Sequence, residues 1–296
     1  MISAKAVFLN YDQEALDAAY DQGMYAANRD QLVARAARRS DIARQFLGEP
    51  LRLPYGSTAN EKLDIYRTAQ PNAPICVFIH GGAWRNGSAR DHAYGAEMLV
   101  HAGAHLVVPD FDNVVEAGGN LFVMADQVRR AVAWTYRNAM QQFGGDVSRL
   151  YVSGRSSGAH LGGVVAITDW QSDFGLPADA VKGYLLTSGM YDLRGPRLSK
   201  RSSYVKFTDE MEEVLSPQRH IEKIVAQIVL VYGSHETPEF QRQTCDFYAA
   251  LRKVGKRAEL ILAEGYNHFE VAETIADRYG PAGRALLAQM ELAGSL

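Results

Sequence analysis

The sequence predicts one α/β domain: a mostly parallel, eight-stranded sheet with helices on both faces. Three observations carry this. Short apolar runs recur along the chain, and longer helical patterns separate them. The central runs are apolar throughout instead of alternating, the pattern of parallel strands covered by helices on either side. The scale also fits, since 296 residues with 47% hydrophobic and 22% charged side chains can bury a full core.

Residues 11–46 read as helical. Asp12 can cap "QEALDAAYDQ", and "RDQLVARAARRSDIARQFL" sets Leu32, Ala36, Ile42 and Phe46 on one side. An N-terminal helical segment is expected over about 10–48. The composition changes at "GEPLRLPYG". Strands are then expected at 51–55, 62–68, 75–80, 105–110, 149–154, 181–189, 227–233 and 258–265, with long helices at 121–142 and 238–254. The polar stretch 190–222 reads as a small cap-like insertion over the carboxyl edge of the sheet, where ligands bind in such folds. The whole of 1–296 is expected to form one domain.

The formal net charge of -3 does not favour a nucleic-acid or anionic-membrane partner, both of which call for a basic face. Two cysteines, Cys76 in an apolar run and Cys245 in a helical pattern, make a disulfide framework unexpected and a reducing cytoplasm the expected location. The first twenty residues lack the apolar region of a secretion signal, and no apolar run of about 18 residues occurs, so no membrane span is expected.

The most informative stretch is "RLYVSGRSSGAHLGGVVAI". Gly154-Arg155-Ser156-Ser157-Gly158 is a G-x-S-x-G pattern with a strand leading in and a small-residue helix leading out. Five residues alone are a weak signal; the strand–turn–helix setting is what a nucleophile elbow needs. Ser156 is the candidate nucleophile, and the Ser157 N–H is a candidate oxyanion donor. Arg155 is read as a surface residue or as a brace for a neighbouring loop. A second signal is "ICVFIHGGAW", in which glycines after an apolar strand let N–H groups approach a substrate oxygen. Gly82, with Gly81 and then Ala83 beside it, is assigned to the oxyanion hole. His80 is read as structural, its ring tying down the loop. Trp84, Phe111 and Tyr191 are expected to line the pocket, from their positions near strand ends.

A serine hydroxyl needs a base, and the base needs a carboxylate to orient it. In this architecture the order along the chain is Ser, acid, His. Of the eight histidines, His268 alone follows the last expected strand. The acid is expected in the loop after "QIVLVYG", where Glu236 stands; Asp192, after the preceding strand, is the rival. The neighbouring His235-Glu236 pair also invites a metal reading. The motif H-E-x-x-H lacks its second histidine here, and Pro238 suits the first turn of a helix, so no metal site is expected.

Several of these segments together resemble the arylformamidase (kynurenine formamidase) family of the α/β-hydrolase fold, near the hormone-sensitive-lipase-type esterases. They are "HGGAW", "GRSSGAHL" with the trailing "DW", "SGMYDL", "GSHETPEFQRQTCDFY" and "NHFE"; "LDAAYDQ" is similar to the family's entry helix. The likeness runs over about residues 10–280. It implies hydrolysis of N-formyl-kynurenine to kynurenine and formate without metal or cofactor, with Ser156, Glu236 and His268 as nucleophile, acid and base. The chain departs from the family in carrying Glu236 where Asp is usual, and Arg155 where His commonly precedes the nucleophile.

The expected function is thus a cofactor-independent serine hydrolase acting on a small aromatic amide or ester, in tryptophan degradation if the likeness extends to the substrate. A general carboxylesterase acting on short-chain or aryl esters is the alternative, and a non-catalytic binding protein the more distant one. A homodimer is left open. Because the base must be neutral, activity is expected to fall below about pH 6.5.

Overall fold

The computed structural model describes residues 5–294; residues 1–4 and 295–296 of the expected domain lie outside the described residues. Eight strands form one sheet: β1 (Leu51–Pro54), β2 (Lys62–Tyr66), β3 (Ala73–Ile79), β4 (His105–Pro109), β5 (Gly145–Arg155), β6 (Gly183–Thr187), β7 (Gln227–Gly233) and β8 (Ala258–Ala263). Their order is β1-β2-β4-β3-β5-β6-β7-β8. β1 and β2, and β2 and β4, pair antiparallel; every other neighbouring pair is parallel. Each expected strand is present, and β5 begins four residues earlier than its apolar run suggests, at Gly145.

Period-two alternation divides β3 between two cores. Ile75, Val77 and Ile79 point into one, with the helices Leu121–Phe143, Ser157–Ala166 and Pro238–Lys253. Cys76 and Phe78 point into the other, with Ala96–His101 and Pro281–Gln289. A strand buried on both sides cannot alternate apolar with polar, so the continuous runs follow directly from the layering.

β3 also sits where the topology reverses. β4 pairs on one of its edges and β5 on the other. Chains leaving the carboxyl ends of β3 and β5 therefore diverge and open a crevice between them. The glycine loop follows β3 and Ser156 follows β5, so both border this crevice.

The N-terminal segment is not one helix. It comprises Gln13–Ala19, capped by the Asp12 carboxylate accepting from the Ala15 N–H, a 3-10 turn Gln22–Tyr25, and Arg29–Leu47. The long helix buries Leu32, Ala36, Ser40 and Ala43, whereas Phe46 is 74% exposed. Phe46 lies roughly 75° around the helix from the centre of that stripe at 100° per residue, beyond its edge, so the expected grouping of Phe46 with Leu32 and Ala36 does not hold. Residues 190–222 fold as short helical turns, among them Arg194–Leu198, Lys200–Ser203 and Asp209–Val214. They pack over the crevice through Phe207, whose ring is 6.3 Å from that of Trp84, and through the Leu215 carbonyl, 2.8 Å from His160 Nε2. No helix among the described residues is long and apolar enough to cross a membrane.

Candidate active site

Ser156 joins β5 to the helix Ser157–Ala166 with φ 54° and ψ -123°, a backbone conformation that L-residues avoid and that persists only where its surroundings impose it. The surroundings do so through glycines. A Cβ on Gly154 would lie 2.4 Å from the Gly158 carbonyl oxygen, and one on Gly158 would lie 2.1 Å from that of Ile79. The Ser156 N–H donates to the Thr187 carbonyl at 2.8 Å, which fixes the turn to β6. The hydroxyl is thus held at the sheet's carboxyl edge, at the positive end of a ten-residue helix.

His268 opens the helix His268–Glu273. The Asn267 side chain accepts from the Phe269 and Glu270 N–H groups, and the Glu270 carboxylate accepts from the Asn267 N–H in return. This reciprocal cap sets the imidazole's direction. Its Nε2 lies 2.9 Å from Ser156 Oγ and its Nδ1 lies 2.8 Å from Glu236 Oε2. An ionised carboxylate only accepts, so Nδ1 carries the proton and donates to Glu236, while Nε2 accepts from the serine hydroxyl. The Phe240 and Phe269 rings stand edge-on to the imidazole, at 4.9 and 5.4 Å. Burial pushes the His268 pKa below the ordinary histidine value; the Glu236 charge and hydrogen bond oppose this, and the Arg155 and Arg201 charges add to it. The imidazole is therefore neutral at pH 7, as a general base must be.

Glu236 is fully enclosed, at 1% exposure. Its side chain folds back over its own turn: Oε1 accepts from the Gly233 N–H at 2.8 Å and from the Ser188 hydroxyl at 2.5 Å. Oε2 accepts from His268 and, at 3.2 Å, from Gln22 Nε2. The fold-back takes up the extra methylene of a glutamate. Adjacent His235 is exposed, so the two side chains of this dipeptide point apart. Asp192 does not meet His268; its carboxylate binds the Arg219 guanidinium at 3.0 Å and caps the Arg194 N–H.

The loop after β3 presses against the elbow. A Cβ on Gly81 would lie 2.9 Å from the Arg155 carbonyl oxygen, and one on Gly82, at φ +131°, would lie 1.8 Å from that of Asn86. Ala83 and Trp84 also have positive φ, 55° and 64°, which turns the chain sharply. The N–H groups of Gly82, Ala83 and Ser157 have no acceptor among the described residues, which leaves them available to an oxyanion.

The three expected pocket residues are packed inside instead. Trp84 is 1% exposed and its indole N–H donates to His160 Nδ1 at 3.1 Å. Phe111 stacks on the His80 ring at 4.4 Å, and Tyr191 stacks on Phe247 at 4.4 Å. Positions near strand ends are also where the core closes, and here large rings serve that purpose. His80 is buried between Phe111 and His92, with Nδ1 2.9 Å from the Gly81 carbonyl oxygen. Sequence reasoning did not find Gln22, Ser188 or Arg201. They lie 214, 48 and 35 residues from Glu236, and no local pattern announces a partner so distant.

A sheet of this topology, a strained serine elbow at its switch point and a buried Ser–His–carboxylate chain define a hydrolase enzyme of the α/β-hydrolase fold. Comparison with known proteins narrows the class. The family described as BD-FAE matches residues 63–244. The kynurenine formamidase of Salmo salar is 34% identical over 250 residues, covering 80% of this chain and 81% of that protein. That of Danio rerio is 30% identical over 246 residues, covering 80% of each. The crystal structure of a putative thioesterase from Silicibacter sp. TM1040 superposes with a TM-score of 0.78 at 20% identity, over 93% of this chain and 98% of that one. The chain belongs to the BD-FAE family and to the family of the kynurenine formamidases.

Proposed function

We propose that this enzyme cleaves an aryl formamide of the N-formyl-kynurenine type through a covalent acyl-enzyme, with Ser156 as nucleophile, His268 as base and Glu236 as the orienting acid. The observation that carries the reading is the unbroken hydrogen-bonded line from Ser156 Oγ through His268 to Glu236. The formamidase relatives at 30–34% identity support the substrate class.

In the proposed mechanism His268 Nε2 takes the Ser156 proton as Oγ bonds to the formyl carbon. The carbonyl oxygen becomes an oxyanion held by the N–H groups of Gly82 and Ser157, with Gly81 and Ala83 shaping the loop. As the C–N bond breaks, His268 returns the proton to the departing arylamine nitrogen. Water then attacks the formyl-enzyme, His268 takes its proton, the C–Oγ bond breaks and Ser156 is reprotonated as formate leaves. No metal or cofactor enters any step.

In the same reading, 1–296 forms one catalytic domain and 190–222 acts as its cap. The free Cys76 and Cys245 suit a reducing, cytoplasmic setting. Turnover of N-formyl-kynurenine compared with short p-nitrophenyl esters, in the native enzyme and in Ser156→Ala, tests the proposal. The formamide should be turned over with the higher kcat/KM, and Ser156→Ala should abolish both activities. A preference for the esters alone would make the enzyme a carboxylesterase, and an active Ser156→Ala would remove the mechanism.

A further inference from the structure

Arg201 is a buried charge that the proposed mechanism leaves unused. It lies in the turn Lys200–Ser203 and is 6% exposed. A buried guanidinium is costly unless acceptors surround it. Other arginines of the 190–222 segment meet carboxylates: Arg197 pairs with Asp209 and Glu212, and Arg219 with Asp192, Glu212 and Glu213. Arg201 has only neutral partners among the described residues. Its Nη1 donates to the Tyr204 hydroxyl at 3.0 Å and its Nη2 to the Tyr20 carbonyl at 3.1 Å, while its Nε is buried without an acceptor.

Its position relates it to the site. The guanidinium carbon is 5.4 Å from the Trp84 ring centre, 5.9 Å from that of Phe240 and 6.0 Å from that of Tyr20. Trp84 ends the glycine loop that offers the oxyanion donors. Phe240 packs edge-on to the His268 imidazole. Arg201 is therefore wedged between the two sides of the site, near enough for its charge to act on His268. Aromatic faces hold a guanidinium in place while leaving its N–H edge free for a carboxylate.

We propose that Arg201 is a specificity residue that binds a carboxylate carried by the substrate, so that the site selects anionic aryl amides or esters over neutral ones. The proposal rests on the formamidase reading for the aryl class, and its test needs no turnover. Kynurenine, the arylamine product of the proposed reaction, and kynuramine, the same arylamine without its carboxylate, are titrated calorimetrically into the native enzyme and into Arg201→Gln and Arg201→Lys.

The native enzyme should bind kynurenine roughly 10–100-fold more tightly than kynuramine, the worth of a charged hydrogen-bonded contact. Arg201→Gln should abolish that ratio by weakening kynurenine alone, and Arg201→Lys should restore part of it. Equal affinity for the two amines in the native enzyme overturns the proposal, as does equal weakening of both by Arg201→Gln, which marks a purely structural arginine. If Arg201→Gln does not fold, the native ratio and Arg201→Lys decide. An enzyme that shows the ratio yet does not cleave N-formyl-kynurenine would refute the formamidase reading and leave the carboxylate site standing.

Discussion

The Glu236 carboxylate reaches the His268 imidazole, 2.8 Å away, while its other oxygen is fastened to the Gly233 N–H three residues back in its own turn. The side chain's length and the turn's geometry are matched. Glu236→Asp shortens the chain by a methylene, so the carboxylate cannot hold both partners without backbone movement. We expect kcat to fall about 10–100-fold, the scale for a misplacement near 1 Å. Glu236→Gln should cost more, on the order of 10⁴, because an amide can hold the imidazole in the wrong tautomer. Steady-state kinetics on the two variants checks the order, and an Asp variant as impaired as the Gln variant would contradict it.

Ser188 donates the second hydrogen bond to Glu236 Oε1 from φ 57°, just beyond β6. Ser188→Ala leaves a buried charge short of a donor. A hydrogen bond to a charged group is worth about 1.5–3 kcal/mol, so urea unfolding should show a loss of that size, together with reduced kcat. Asp192→Asn is the control. Asp192 binds Arg219 in a half-buried ion pair away from the imidazole, so this variant should keep kcat within roughly threefold. A collapse of activity in Asp192→Asn would return the acid's role to Asp192.

The acid limb of kcat/KM should lie below pH 6.5, the ordinary histidine value and the one the sequence alone suggests. Burial lowers the His268 pKa, with Arg155 and Arg201 contributing and Glu236 opposing. The free enzyme therefore keeps this imidazole neutral to lower pH than a solvated histidine would. A pH–rate profile on a substrate that does not itself titrate reads this directly. A limb at or above pH 6.5 would mean that Glu236 outweighs burial.

The layering and the serine elbow were legible because each leaves a local trace. A strand buried on both faces must be apolar at every position, as in Ile75–Ile79. An elbow at Ser156 must have glycines at 154 and 158, where any Cβ meets backbone. The glycine loop after β3 left the same trace at Gly82. Contacts made by folding left none. Gln22 reaches Glu236 from an N-terminal turn, and Arg201 reaches Trp84 and Phe240 from the cap. Glutamine and arginine occur throughout surface segments, so neither residue type nor spacing marks these two. Aromatic residues misled for a related reason. Trp84, Phe111 and Tyr191 stand where a pocket would open, but a large ring near a strand end closes a core equally well.

His160 offers a test of the packing beneath the site. Its ring is buried, accepts a hydrogen bond from the Trp84 indole N–H at Nδ1, and donates from Nε2 to the Leu215 carbonyl, which joins the elbow helix to the cap. Protonation would place a proton at Nδ1, opposite the indole N–H, within an apolar core. Burial accordingly lowers its pKa to about 4. The unfolded chain, with a histidine pKa near 6.5, binds more protons than the folded one between those values, so stability falls as pH drops from about 6.5 to about 4 and levels off below. The loss from this residue alone is on the order of 3 kcal/mol at pH 4. His160→Gln should be less stable at pH 7, because its amide cannot reproduce both contacts. Its further loss between pH 7 and pH 4 should nonetheless be smaller than that of the native chain by about that amount. Urea midpoints at the two pH values measure the difference, and an unchanged pH dependence in His160→Gln would show that the imidazole is not held neutral by the fold.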